Sequence, residues 1–227
     1  MSDSGPSLRS RNFWAKREAK YLAILERALL LLRAKASLPE AEVDLNRLLY
    51  FCLLKATREL YPHDEVAPTP ECNNQPDPDD EARSTREQKR PDFQWIYLDK
   101  YEADASRCSK QFVVECKRLG KSRRADWVLN SNYVNHGVCR FQDRQWAYAK
   151  RFASGAMVGY WQSMEAEEIL TEVNVELRKK TLSEIARRGT WKPAAVSSLE
   201  HQFERLFVVS PFRLCHRWVD LRAMDPS

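Results

Sequence analysis

Apolar positions recur at helical spacing between Arg11 and Ala36, where Trp14, Tyr21, Leu25, Ala28, Leu29 and Leu32 share one stripe without an interrupting Pro or Gly. The spacing predicts a helix ended by Leu38-Pro39, its stripe packed on the domain's own core or, in the other reading, offered to a partner helix. A second helix is predicted over Glu42–Leu60, with Leu45, Leu48, Leu49, Cys52, Leu53 and Ala56 facing a core. From 61 to 91 the pattern lapses. Six prolines, the acidic "DPDDE" and the basic "RSTREQKR" predict a long surface loop that buries little.

The period then changes to two. Asp92–Leu98 and Gln111–Lys117 are rich in Val, Ile and aromatic residues and are separated by a polar stretch, which predicts a pair of antiparallel strands. "KSRRADWVLNSNYVNHGVC" predicts a basic, partly helical connection, and "RFQDRQWAYAKRFA" a short amphipathic helix over Arg140–Ala153. Ala156–Trp161 predicts a third strand, about Ala166–Arg188 a charged helix, and "RLFVVS" with "RLCHRWVDL" the last strand or hairpin. Helix, helix, hairpin, helix, strand, helix, strand is the order of an α/β domain whose mixed sheet carries helices on its faces.

Composition narrows this picture only a little. At 227 residues, 43% hydrophobic, the chain suits one domain (41–227) prefaced by a tail and helix (1–40). Six scattered cysteines show no metal-ligand or disulfide spacing, which implies a reducing, cytoplasmic setting. The polar start lacks an apolar leader region, and "ALLLL" is too short to span a bilayer, so no membrane association is expected. A net charge of +5 is compatible with a polyanionic partner.

The chemistry concentrates at the two strands. In "VVECK", alternation puts Val113, Glu115 and Lys117 on one face and Val114 and Cys116 on the other. Asp92, just after Pro91, begins the preceding strand and reaches the same place if the two strands pair. Two carboxylates on rigid neighbouring strands suit a hard cation such as Mg²⁺, with the Cys116 carbonyl as a further oxygen. An ammonium one pleat along orients an attacking water and offsets charge on a phosphate. The bland alternative is a cross-strand salt bridge on a solvent face. Pro76-Asp77 and Pro78-Asp79 repeat the Pro-Asp pair, but in a loop that would not hold their carboxylates.

Pro91-Asp92, a hairpin, then Glu115-Cys116-Lys117 at the end of an apolar strand resembles the PD-(D/E)xK nuclease superfamily, over roughly 42–221. The resemblance implies a restriction-endonuclease-like core and a Mg²⁺-dependent phosphodiesterase, Mn²⁺ being a substitute, with no small-molecule cofactor. Asp92 and Glu115 would be metal ligands and Lys117 the catalytic cation. It also implies an extra acid from the preceding helix, for which Glu59 and Asp44 are candidates. Accessory roles fall to Gln145 and Tyr148, which a helix would place on one face; packing by Trp146 and Tyr148 explains that segment equally well.

Arg118, Lys121, Arg123, Arg124 and Arg140, interleaved with Trp127, Tyr133 and Phe141, suit a DNA backbone. His136 and His216 stand alone and read as structural. Since no motif that reads sequence or hydrolyses nucleotides is present, the chain is expected to be the effector subunit of a bacterial anti-phage defence or restriction system. It would act with a protein partner or as a homo-oligomer, through the N-terminal helix. The alternatives are an inactive adaptor of the same fold and a ribonuclease.

Overall fold

The structure, a computed structural model, describes residues 8–63, 66–74, 85, 87–121, 128–206 and 209–222. Helices α1 (Leu8–Arg33) and α2 (Glu42–Leu60) precede a seven-stranded mixed sheet: β1 (Thr69–Pro70), β2 (Phe93–Leu98), β3 (Ser109–Leu119), β4 (Ser154–Trp161), β5 (Ala186–Arg188), β6 (Val196–Phe203) and β7 (Phe212–Asp220). Between β3 and β4 lie α3 (Leu129–Tyr133), a π-helical turn (Val134–Val138) and α4 (Cys139–Gln142), and α5 (Ala166–Lys179) follows β4. The strand order is β1-β2-β3-β4-β7-β6-β5.

β2 and β3 pair antiparallel as their hairpin pattern predicts, with Phe93 opposite Val114. β3 and β4 run parallel, which requires the long helical crossover between them. With parallel neighbours on both sides, β4 is buried along its whole length. The sheet separates two cores. One packs Tyr21, Leu25, Leu29, Leu45, Leu49 and Leu53 of α1 and α2 against Trp95, Phe112, Val114 and Val158. The other packs Tyr133, Val134, Phe141, Ile169 and Val173 against Val113, Met157, Leu214 and Trp218. The apolar stripe of α1 is therefore filled by the chain's own sheet, which removes it as a surface for a partner helix.

Three sequence expectations are corrected. The helix over Arg140–Ala153 ends at Gln142: Asp143 turns extended and its carboxylate accepts the Gln145 N–H, and Ala147 and Ala149 take left-handed backbone with φ of 47° and 50°. The charged helix stops at Lys179, where Thr181 is left-handed and the Leu182 N–H caps the Leu177 carbonyl. Ala186–Arg188 is instead the sheet's outer strand. Finally, the strand expected at "RLFVVS" lies earlier, at Val196–Phe203. Among the described residues, no helix is long and apolar enough to cross a membrane.

The second core holds two histidines. His216, fully buried, lies between Met157 and Leu199, and its Nδ1 is 2.6 Å from the Tyr133 hydroxyl. That hydroxyl also accepts from Trp218 Nε1 at 3.0 Å, which joins His216, Tyr133 and Trp218 in one buried cluster. The His201 ring lies tilted beside that of His216, its centroid 5.8 Å away. Burial pushes His201 down to about 4, and burial together with His201 pushes His216 below the usual range. Both rings are neutral when folded and charge more readily when unfolded, so their stability contribution is present above pH 6.5 and drains away as pH falls towards 4. His201→Leu is expected to lower the midpoint of acid unfolding, followed by tryptophan fluorescence, by removing roughly 3 kcal/mol of that sensitivity; an unchanged midpoint rejects the assignment.

Candidate active site at the β2–β3 junction

Glu115 and Lys117 share the face of β3 that carries Val113 and Leu119, opposite to Val114 and Cys116, as alternation requires. The ladder between β2 and β3 ends at Phe93, which leaves the Cys116 N–H without a strand partner. Asp92 supplies one: its Oδ2 accepts that N–H at 2.6 Å. Pro91, which has no N–H to donate, precedes it at the strand start. Asp92 Oδ1 accepts from Asn46 Nδ2 at 3.0 Å, and Asn46 in turn accepts from the Tyr160 hydroxyl at 2.7 Å. The Asp92 carboxylate is thus pinned by three elements, α2, β3 and, through Asn46, β4.

Lys117 Nζ is ringed by oxygens: Glu42 Oε1 and the Cys116 carbonyl at 2.7 Å, and Glu115 Oε1 at 3.0 Å. The Arg140 guanidinium joins the same Glu115 oxygen. It lies 4.2 Å over the Trp146 ring, a ring that Lys89 also approaches at 4.2 Å. Glu115 itself is 0% exposed, and its Oε2 has no hydrogen-bond partner. An unpartnered buried carboxylate oxygen is costly, so it marks a place where something is to be held. The Tyr148 hydroxyl is buried beside Arg140, and burial first, then the Glu115 charge, keeps the phenol protonated.

Electrostatics follow from this burial. Desolvation and, secondly, the Asp92 charge raise Glu115 to about 8, against the pull of Lys117 and Arg140. Desolvation raises Asp92 to about 6, opposed by Lys117 and the Cys116 N–H. Burial works against the Lys117 ammonium, but Glu115, Asp92 and Glu42 outweigh it and hold the group well above its ordinary value. Lys117 is therefore a permanent cation, a donor and not a base.

Neither a protein-family model nor a curated protein nor a solved structure matches this chain. What the site can do is read from its own atoms. Among the described residues no group of three or more His, Cys, Asp or Glu forms a metal cage. The oxygens a cation could use are those of Asp92, Glu115 and the Cys116 carbonyl, a set too small for a closed structural site but suited to Mg²⁺, which keeps several of its waters. Beside them opens a cleft of about 540 Å³, lined by Glu42, Lys117, Arg118, Leu129, His136 and Arg140 among others.

The remaining candidates separate clearly. Glu59 and Asp44 are not in the site: Glu59 pairs with Arg27 at 2.7 Å near the far end of α2, and Asp44 pairs with Arg47 at 2.7 Å on the exposed surface. The acid that α2 brings is Glu42, in its first turn, where the positive end of the helix favours a carboxylate. One turn on, Asn46 faces the same way, and the spacing of Glu42 and Asn46 by four was the only sequence signal for either. Gln145 is exposed in a turn, whereas Tyr148 is buried against the site. Arg118 lines the cleft and donates to the Glu40 carbonyl, and Lys121 is exposed just past β3. Arg123, Arg124, Trp127 and both decoy Pro-Asp pairs lie outside the described residues.

Proposed function

We propose that the chain is a Mg²⁺-dependent nuclease that hydrolyses phosphodiester bonds in DNA, built on a restriction-endonuclease-like core. The observation that carries this reading is the buried Glu115, with one oxygen unpartnered, beside Asp92 and on the same face as Lys117. A plain cross-strand salt bridge would be solvated and cheap; this one holds a fully buried Glu115, and the protonation of both carboxylates is pushed towards neutral pH. A bound divalent cation supplies charge neutralisation on the phosphate and a water of lowered pKa. Asp92, Glu115 and the Cys116 carbonyl would hold it. Asn46 and the Cys116 N–H fix the orientation of Asp92, which supports a rigid cradle. Lys117 donates towards the attacking water and the phosphate oxygens, and Arg118 and Arg140 on the cleft wall suit the flanking backbone.

The test is incubation of the purified protein with plasmid, linear and single-stranded DNA and with RNA, in Mg²⁺, Mn²⁺ or EDTA. Cleavage of DNA in either metal and none in EDTA is expected. Cleavage in EDTA removes the mechanism, silence on every substrate removes the enzyme, and cleavage of RNA alone replaces the substrate.

A further inference from the structure

The cleft is lined by Lys117 and Arg140 but not by Asp92 or Glu115. The two cations therefore stand between the cleft and Glu115, and both rest on one oxygen, Glu115 Oε1. Two positive groups on a single carboxylate oxygen repel each other, and a divalent cation brought to the same carboxylate sharpens that conflict. The two are not equally able to leave. Lys117 keeps a second carboxylate, Glu42 Oε1 at 2.7 Å, when Glu115 is taken away. Arg140 has Glu115 as its only carboxylate partner among the described residues, and its Nε has no partner at all. Its remaining neighbours are neutral, the Tyr148 hydroxyl and the Trp146 ring 4.2 Å away, and neither replaces the charge of a carboxylate.

Resting on the metal-dependent reading above, we propose that Arg140 is handed over: it rests on Glu115 while the site lacks its cation, is displaced into the cleft when the cation binds, and there takes a phosphate of the substrate. The planar fork of a guanidinium matches two phosphate oxygens as it matches a carboxylate, so one residue serves both partners. The consequence is an order of events. Metal enters first, and tight binding of the nucleic acid depends on it. Trp146 is the platform for both positions, held in place by Asn74, which donates to its carbonyl, and by Lys89.

The test compares the parent with Arg140→Met in three measurements. With Mg²⁺ alone in calorimetry, Arg140→Met binds the ion about tenfold more tightly, because a competing cation has gone. With a phosphorothioate 12-mer DNA duplex in fluorescence anisotropy, Mg²⁺ tightens the parent about tenfold and Arg140→Met hardly at all. In the intact parent, Mg²⁺ changes tryptophan fluorescence, and Trp146→Phe abolishes most of that change; this readout does not depend on the folding of Arg140→Met. A variant whose Mg²⁺ affinity is unchanged or weaker, a loss of DNA affinity equal with and without Mg²⁺, or a fluorescence change that survives Trp146→Phe overturns the hand-over. If Mg²⁺ produces neither heat nor a fluorescence change in the parent, the metal-dependent reading falls and this one with it. If Mg²⁺ binds and DNA is cut while Arg140→Met tracks the parent, only the hand-over falls.

Discussion

Lys117→Met and Glu115→Gln will each slow Mg²⁺-dependent cleavage of supercoiled plasmid by roughly three orders of magnitude, measured in single turnover, but they will fail differently. On the proposed reading Glu115 is a ligand oxygen, so Glu115→Gln should weaken Mg²⁺ binding with a deficit that shrinks at high metal. On the same reading Lys117 is the charge and donor to the reacting groups, so Lys117→Met should retain Mg²⁺ with a deficit that persists at saturation. Because Glu42, Glu115 and Asp92 hold Lys117 firmly protonated despite its burial, no pH rescues a variant lacking that ammonium. A loss of less than tenfold in Lys117→Met sinks the assignment of this residue to the chemistry.

The same Glu115→Gln variant separates a spent active site from a damaged fold. Glu115 stands at about 8 in the folded protein, above its ordinary 4.5. Its neutral form is what the buried site accepts, so the contribution to stability is complete below pH 4.5 and is lost as pH rises through about 8. In EDTA at pH 9 the parent carries a charged, fully buried carboxylate, and Gln in its place relieves a few kcal/mol of that cost. An inactive variant that melts higher than its parent at pH 9, and no higher at pH 5, is the expected pair of results. Cleavage at limiting Mg²⁺ should rise over pH 6 to 8 as Asp92 and then Glu115 lose their protons. The histidines of the second core act in the opposite sense, so metal-free stability peaks between the two limbs.

The parts of this site legible in the sequence are those set by strand periodicity and by proline. Alternation in "VVECK" fixes which side chains share a face whatever the rest of the fold does, and Pro91 fixes where β2 begins, so Asp92 falls just past the Phe93–Val114 pair, against the Cys116 N–H. The bounds of α2 were equally readable from one apolar stripe closed by Tyr61-Pro62. Choosing among Glu42, Asp44 and Glu59 was not, because all three are acids on one helix and only the packing of α2 on the sheet shows which turn meets Lys117. β6 was hidden by its own burial pattern: Ser197 and His201 lie in the core, where alternation of apolar and polar residues should have placed apolar ones. The stretch after Gln142 misled for the reverse reason. Its residues have helical spacing, but the left-handed Ala147 and Ala149 break the helix, and carbonyls of the broken segment, those of Tyr148 and Ala149 among them, are satisfied by a side chain far along the chain.

That side chain is Arg205, and Arg205→Met is expected to cost more stability than any other single change outside the hydrophobic core. Its guanidinium, 3.9 Å from the Phe212 ring, donates to the carbonyls of Phe141, Tyr148, Ala149, Phe152 and Val209 at 2.6 to 3.4 Å, and the residue is 4% exposed. A broken helix leaves orphan carbonyls, and one buried fork collects them, which is why the turns from Asp143 to Ala153 hold a single shape. Methionine fills much of the volume but donates nothing, leaving several buried acceptors unsatisfied at about 3 to 5 kcal/mol in all. For a chain of this length that lowers Tm by roughly 10 °C, measurable by calorimetry. Arg205→Lys, with one ammonium in place of a fork, should lie between. Because this segment carries Trp146 and Tyr148 against Arg140 and Glu115, cleavage should fall together with stability even below the new Tm. A variant that melts within a few degrees of the parent would show that the carbonyls find other donors, and that Arg205 does not hold the wall of the site.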